Sequence, residues 1–302
     1  MKTKICILVI IAVFVGLIIS CQALMAVADI GAQVAGAAGY IDKSAADAIS
    51  TSARAIGTAA EEITPEQEYY IGRAVAANIL RSYKLWSGNP ALTTYLNQIC
   101  LAITINSPRP DVYNGYHVAI LDSNEINAFA TSGGHIFVTR GLINTAKSED
   151  ALAGVIAHEV AHIQLKHGIK AIRNSRITQA LLVTGTAAAA SATGMNIAQL
   201  TEVFNESVGE IFQTMVNSGY SQVQEFEADT TAMSLMAAAG YKPQGLIEML
   251  NALKTAQNSR TGFGKTHPTP AQRITNADKT VRTHRVADTS SSRTTRFTTA
   301  TK

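Results

Sequence analysis

In residues 152–165, the sequence LAGVIAHEVAHIQL places hydrophobic side chains on nearly every face of a helix. A helix that is apolar all round is buried inside a domain, because it has no face to present to water. Ser148 is the expected N-cap and Gly168 the expected C-terminal stop. The pattern therefore predicts a central buried helix over about 148–168.

Short alternating segments and amphipathic helices surround this central helix. Thr64, Pro65 and Gln67 supply a helix start, with an N-cap, a proline at the first position and a capping box. We expect helices over about 64–83, 89–105, 171–218, 222–239 and from Pro243 onward, and strands over 116–121, 126–131 and 135–139. These elements predict an α+β fold that is mainly helical, with a small β-sheet beside the central helix.

The N-terminus has the pattern of a targeting segment. Lys2 and Lys4 precede an unbroken apolar run over 5–19, and the sequence IISC at 18–21 resembles a bacterial lipobox. This resemblance implies a lipoprotein signal peptide over 1–20 and an acylated Cys21 that anchors the mature chain in a membrane. An uncleaved signal anchor is the alternative interpretation.

Both interpretations place the rest of the chain on the same side of the membrane. Because Lys2 and Lys4 stay on the cytoplasmic side, the remainder faces the periplasm. Gln22, rather than an aspartate, follows Cys21. By the enterobacterial sorting rule, this favours the outer membrane if the envelope is Gram-negative.

Composition excludes several functional classes. The 302 residues are 47% hydrophobic and 16% charged, with a net charge of +3. That charge is too small for a nucleic-acid-binding surface, so we expect no nucleic-acid partner. The apolar fraction is too high for a disordered chain. Since 5–19 is the only long apolar run, a protein with several membrane spans is also excluded.

Composition also indicates the limits of the domain. Residues 21–60 are rich in Ala, Gly and Ser, and we interpret them as a helical spacer. Residues 286–302 are rich in Ser and Thr and predict a disordered tail. Cys100 has no partner once Cys21 carries lipid and the signal peptide is removed, so we expect it to be a small buried hydrophobic residue.

The central helix contains three ionisable side chains in the pattern HExxH. Burying His158, Glu159 and His162 in an apolar helix costs several kcal/mol, on the order of the penalty for unpaired polar groups, unless a partner compensates. The two histidines are four residues apart and share a face, as two ligands of one metal ion require. A satisfied histidine pair with an exposed glutamate is the alternative interpretation.

A zinc site needs a third protein ligand and an open position for water. The next suitable helix contains EFEAD at 225–229, in which Glu225 and Asp229 share a face and Glu227 points away. Glu225 is therefore the expected third ligand. Asp229, one turn further on, is placed to accept a hydrogen bond from a liganding histidine and to fix its tautomer.

Several motifs in order carry a resemblance to a known family. They are ITPEQEYYIGRAVA at 63–76, NAFA at 127–130, GGHIFVTRGL at 133–142, HEVAH at 158–162, EFEAD at 225–229 and THPTPAQRI at 266–274. Together these motifs resemble the zinc metallopeptidases of the CAAX prenyl protease and HtpX family (metallopeptidase family forty-eight), in particular its bacterial lipoprotein branch, which is LoiP- and BepA-like. The resemblance covers about residues 61–285, which we take as the metallopeptidase domain.

The resemblance implies a zincin-like fold, one zinc ion per chain and endopeptidase activity on proteins of the cell envelope. Carried over by position, His158, His162 and Glu225 are the ligands and Glu159 is the general base. His267 matches the C-terminal motif of the family, and we expect it near the zinc. There it either fills the open position as a latch or donates to the oxyanion, with Arg273 as a second donor.

The strand that precedes the central helix is the expected site of substrate binding. Gly134, His135, Ile136 and Phe137 begin this strand, and an extended peptide would pair with it if it lies at the edge of the sheet. A purely structural strand is the alternative. Polypeptides are therefore the expected substrates, and envelope assembly partners are compatible with this site.

The function that these residues favour is zinc-dependent proteolysis in the cell envelope, with a quality-control role. Two other classes stay open at this point. An envelope chaperone or binding protein would keep the zinc fold without cleavage, and a structural lipoprotein would contain no zinc. The intact HExxH motif with Glu225 favours the enzyme, because a pure binding protein has no need of Glu159.

Overall fold

The computed structural model of the chain describes residues 21–47, 49–50, 63–170, 208–209, 211–256, 267, 270–281, 283–284, 286 and 290–302. The expected signal peptide over 1–20 and most of the helix expected over 171–218 lie outside these residues. Described residues up to Ile63 form one unit, and those from Thr64 onward form a second. None of the helices described is both long and apolar enough to cross a membrane.

The first unit contains helix α1 (Cys21–Ala37) at its start. It falls within the segment that we interpreted as a helical spacer. The Asp29 carboxylate accepts a hydrogen bond from Gln33 Nε2 at 2.8 Å, one turn along the same helix.

The second unit confirms the mainly helical α+β fold with a small sheet. Its described helices are α2 (Pro65–Ser82), α3 (Pro90–Thr104), α4 (Arg140–Thr145), α5 (Glu149–Gln164), α6 (Gln222–Ala238), α7 (Gln244–Ala256), α8 (Pro270–Val281) and α9 (Ser290–Ala300). Its described strands are β1 (His117–Leu121), β2 (Ala128–Thr131) and β3 (His135–Thr139). A π-helical turn over Thr214–Ser218 precedes α6.

Helix α5 is the centre of the second unit, as its apolar pattern predicts. Every residue from Glu149 to Ile163 is buried, and α3, α6, α7, α9, β2 and β3 all pack against it. Gly154 lets α7 approach closely, because a Cβ at this position would come within 2.8 Å of Leu246 Cα. Ser148 caps the first turn by accepting a hydrogen bond from the Ala151 amide.

The end of α5 differs from the expectation by one turn. The helix ends at Gln164, because Lys166 adopts a left-handed conformation with φ 56°. The Lys166 ammonium forms an ion pair with the buried carboxylate of Glu68 on α2. This turn redirects the chain before Gly168, where we expected the helix to stop, and it changes the direction of the side chains that follow.

The sheet has the strand order β1–β3–β2, with β3 parallel to β1 and antiparallel to β2. Gly133 and Gly134, both with positive φ, make the tight turn that joins β2 to β3. Strand β3 is therefore hydrogen-bonded on both sides. The expectation that Gly134–Phe137 begin an edge strand was wrong, because β1 pairs with the side of β3 that β2 leaves free.

The expectation of a disordered tail from residue 286 was also wrong for residues 290–302. Ser290–Ala300 form α9, which packs against α3 and α5. Arg293 Nε donates to Asp150 Oδ2 at 3.1 Å, and the Arg296 guanidinium pairs with the buried Glu149 carboxylate. The high Ser and Thr content predicted disorder. The helix is held instead by two arginines whose carboxylate partners lie far away in the sequence, and composition does not reveal such contacts.

Candidate metal centre

Helix α5 places the two histidines of the HExxH motif side by side in the core. His158 and His162 are 1% and 2% exposed, and their Nε2 atoms lie 3.1 Å apart. The rings approach edge to face, with centroids 4.7 Å apart. The four-residue spacing thus brings two potential ligand atoms to one point, as the helical geometry requires.

Helix α6 brings a carboxylate to the same point. Glu225 is fully buried, and its two oxygens lie 3.5 Å from His158 Nε2 and 3.6 Å from His162 Nε2. Two ligand atoms at 2.0–2.1 Å from a tetrahedral ion are separated by roughly 3.3 Å, by simple geometry. The three distances, which join the two Nε2 atoms to each other and each Nε2 atom to a different Glu225 oxygen, lie on either side of that value, so the residues fit a tetrahedral zinc site.

His267 is the fourth member of the cluster. Ligand atoms of His158, His162, Glu225 and His267 all lie within 4.8 Å of one another. His267 Nδ1 lies 2.8 Å from both Glu225 oxygens, and the residue is 7% exposed. The structure therefore places His267 beside the three candidate ligands His158, His162 and Glu225.

Glu159 is buried beside the cluster and faces a small cavity. Within the described residues its Oε1 atom is buried and has no hydrogen-bond partner. The cavity, lined in part by Ala128, Phe129, Ala130 and Tyr220, offers about 10 Å³ to the centre of a water molecule. This is roughly the space that one water needs. An unpartnered carboxylate oxygen beside such a cavity is the arrangement that a general base requires.

Asp229 lies next to His158, at the ring nitrogen opposite the one that faces Glu225. Its Oδ1 atom is 3.0 Å from His158 Nδ1, which is the contact that the helical spacing predicts. Arg273 on α8 is fully buried and donates to Asp229 through Nε at 2.9 Å and Nη2 at 2.6 Å. The guanidinium thus binds Asp229 rather than facing the Glu159 cavity.

Charged neighbours set the protonation of the buried carboxylates. Burial alone raises the pKa of Glu225, but His267 and His158 hold it well below its ordinary value. Burial also opposes the charged form of Asp229, yet Arg273 keeps its pKa low. Burial raises the pKa of Glu159 above its ordinary value. Two carboxylates are therefore held ionised, while the third is tuned to take up a proton more readily.

The residues of the expected substrate strand do not line the cavity. Ile136 and Phe137 are buried within the central strand β3, and His135 stacks on Tyr69 at a centroid distance of 5.6 Å. Strand β2, at one side of the described sheet, contributes Ala128 and Phe129 to the cavity instead. Strand β2 rather than β3 lines the cavity because of the order of the strands in the sheet, and the local sequence pattern does not predict that order.

Two residues at the site had no role in the sequence interpretation. The Tyr220 ring stacks on His162 with centroids 4.3 Å apart. His167 is fully buried, and burial lowers the pKa of its imidazole below the ordinary value. Its Nδ1 lies 2.9 Å from His162 Nδ1. The sequence signal for this contact was the spacing of five residues between His162 and His167, but a continuous helix would not bring these two rings together.

Comparisons with known proteins agree with this geometry. The family model described as peptidase family M48 matches residues 90–281. A putative β-barrel assembly-enhancing protease of Vibrio cholerae is 29% identical over 236 residues, covering 75% of this chain and 47% of that protein. Metalloprotease LoiP of Escherichia coli (strain K12) is 32% identical over 152 residues, covering 50% of this chain and 57% of that protein. Mitochondrial metalloendopeptidase OMA1 of Schizosaccharomyces pombe is 29% identical over 189 residues, covering 60% of this chain and 51% of that protein. The chain thus spans about half the length of these relatives.

Proposed function

The chain belongs to peptidase family M48, and from this membership we propose that it is a zinc-dependent endopeptidase that cleaves proteins of the cell envelope. The convergence of His158, His162 and Glu225 beside the unpartnered oxygen of Glu159 is the observation that most strongly supports this activity. Two imidazoles and one carboxylate are a ligand set that catalytic zinc sites use. One zinc ion per chain fits the single cluster of this kind among the described residues.

The chain's own residues divide the reaction between them. When bound, zinc would activate water near neutral pH and polarise the scissile carbonyl. Glu159 takes the proton of the attacking water at Oε1 and passes it to the leaving amine. Asp229 holds the His158 ring by accepting its Nδ1 hydrogen, which leaves Nε2 free to bind the metal. The buried setting excludes bulk water from these groups.

Strand β2 is the surface along which we place the substrate. Ala128, Phe129 and Ala130 line the cavity that Glu159 faces. The described sheet leaves one side of β2 without a partner strand. An extended polypeptide that pairs there gains backbone hydrogen bonds with little dependence on its sequence. Quality control of varied envelope proteins would need this tolerance.

The anchor and location of the protein are part of the same proposal. Cys21 at the end of the lipobox-like sequence would carry the lipid, with the domain facing the periplasm at the outer membrane. The name of the Vibrio cholerae relative refers to β-barrel assembly, and on that ground we include envelope assembly partners. Mass spectrometry of the mature N-terminus checks the anchor, since acyl chains on Cys21 are the expected result and an N-terminus at Met1 would contradict it.

Peptide release from envelope extracts tests the proposed activity. We expect the wild-type protein to release peptides, a chelator to stop the release, and stoichiometric zinc to restore it, because ligands and base act only with the ion in place. Metal analysis of the purified protein gives the zinc content. A zinc-loaded protein that binds envelope proteins without cleaving them would favour the chaperone or binding function instead.

His267→Ala is expected to raise peptidase activity several-fold with zinc content unchanged. The imidazole lies against the ligand set, and removing it would free the position that water needs. His284→Ala is the matched control, because His284 contacts Ser234 and lies outside the cluster. A loss on the order of 100-fold would instead assign His267 to stabilisation of the oxyanion. Activity within about twofold of wild type would rule out both roles.

A further inference from the structure

Each liganding histidine must present a bare Nε2 atom to the metal. A neutral imidazole carries its one hydrogen on the other nitrogen, and the partner of that nitrogen fixes the tautomer. Asp229 does this for His158, at 3.0 Å from Nδ1. His162 has no carboxylate within contact of its Nδ1 atom in the described residues. Its Nδ1 faces another imidazole instead, at 2.9 Å from Nδ1 of His167.

Only one arrangement of hydrogens suits this pair of neutral rings and a metal-binding His162. His162 Nδ1 carries the hydrogen and donates it, so His167 Nδ1 must be the acceptor. The hydrogen of His167 then lies on Nε2. That atom points at the carboxylate of Glu227, with Oε2 at 3.4 Å. The chain of contacts therefore runs from Glu227 through His167 to His162, with each hydrogen pointing toward the carboxylate.

We propose that His167 and Glu227 are positioning residues that fix the tautomer and orientation of the metal ligand His162. The inference rests on the proposed zinc function and extends it to two residues that neither bind the ion nor face the cavity. In zinc sites, partners of this kind make ligands more basic and hold them in place, and losing one costs about 10- to 100-fold in metal affinity.

The packing around His167 supports a positioning role. The ring is fully buried and packs edge to face on His162 with centroids 4.9 Å apart. Tyr220 also packs on the ring of His162, stacked at 4.3 Å. Glu227 is different, because its side chain is 51% exposed. Since its contact is long and partly solvated, Glu227 contributes less than His167 to the orientation of His162.

The left-handed turn at Lys166 makes this contact possible. A straight continuation of α5 would place residue 167 about 140° around the helix from residue 162. With φ of 56° at Lys166, the chain bends so that the His167 ring returns to the His162 ring. Glu227 lies two residues after Glu225 on α6. It is therefore on a different face of the helix, and this face turns toward His167.

Zinc affinity, measured by competition with a chromophoric chelator, tests the assignment without any measurement of activity. We expect His167→Leu to bind zinc about 10- to 100-fold more weakly than wild type. His167→Asn has almost the same shape as the leucine variant but keeps an acceptor at the place of Nδ1, so its affinity should lie within a few-fold of wild type. Equal losses in both variants, or no loss in the leucine variant, would overturn the proposal.

A second pair of variants tests the connection to Glu227. Glu227→Ala should weaken zinc binding several-fold, and Glu227→Gln less, since its amide oxygen still accepts the His167 hydrogen. The double variant His167→Leu/Glu227→Ala should match His167→Leu alone, because Glu227 acts only through His167. Additive losses would contradict this connection. Asp278→Ala, which removes an exposed carboxylate on α8, is the control for net charge.

Thermal unfolding of the metal-free proteins separates positioning from general stability. We expect the leucine and asparagine variants of His167 to unfold near each other without metal and to differ in the stabilisation that added zinc provides. Absence of zinc binding by the wild-type protein would refute the proposed function itself. Tight binding by wild type and by His167→Leu alike would refute only the role of His167.

Discussion

Glu159→Gln is expected to abolish peptidase activity while the zinc content stays close to one ion per chain. The amide has nearly the shape of the carboxylate but cannot accept a proton, and general-base catalysis is worth about 10²- to 10⁴-fold in rate. Since His158, His162 and Glu225 form the ligand cluster without Glu159, the substitution leaves the expected ligands intact. The measurement combines zinc analysis with cleavage of an unfolded protein substrate.

Glu248→Gln is the matched control for this change. Glu248 lies exposed on α7 and accepts a hydrogen bond from Ser148, outside the cavity, so its loss should leave the rate unchanged. A Glu159→Gln protein that cleaves at the wild-type rate with zinc bound would contradict the role of Glu159 as base. Loss of zinc along with activity would show that Glu159 supports the fold of the site rather than the chemistry.

The candidate ligands could be anticipated from sequence because the geometry within each pair of residues is local. His158 and His162 are one helical turn apart, and Glu225 and Asp229 repeat this spacing on a second helix. In each pair the face is set by 3.6 residues per turn, independent of the rest of the chain. The apolar residues around His158 likewise predict that α5 is buried, since no face of it suits water.

Features that depend on residues far apart in the sequence could not be predicted from the local sequence pattern. The central place of β3 follows from the order in which three strands pair, and each strand sequence is compatible with an edge or a centre. The α9 helix is held by Arg293 and Arg296, whose partners Asp150 and Glu149 are more than 140 residues earlier. His167 depends on one left-handed residue, Lys166, for which the sequence has no glycine or asparagine signal.

Both ends of α5 are held by hydrogen bonds that involve charged side chains. At its start, Glu149 accepts from Arg296 and from Tyr95 at 3.0 Å. At its end, Arg109 Nη1 donates to the Ile163 carbonyl at 3.2 Å and Nη2 to Glu68 at 2.9 Å. These directional contacts add to the close packing against α7 at Gly154 in holding the helix that carries His158 and His162.

Arg273→Met is expected to destabilise the metal-free protein by about 3–5 kcal/mol, the usual cost of removing one partner from a buried ion pair. Arg273 is fully buried, contacts Asp229 through two nitrogens and has Nη1 at 3.5 Å from Glu225. Its removal leaves two buried carboxylates close together without their shared cation. Urea denaturation of the metal-free protein measures the change in the free energy of unfolding.

A surface ion pair and a double variant are the controls that show whether the loss of stability in Arg273→Met is specific to the buried ion pair. Arg140 and Asp122 form an ion pair at 2.6 Å with side chains 35% and 42% exposed, so Arg140→Met should cost less than about 1 kcal/mol. Arg273→Met/Asp229→Leu removes both charges and should recover much of the loss, while it leaves His158 Nδ1 without its acceptor and weakens zinc binding. A cost for Arg273→Met as small as that of Arg140→Met would mean that Asp229 and Glu225 do not need the guanidinium to stay buried.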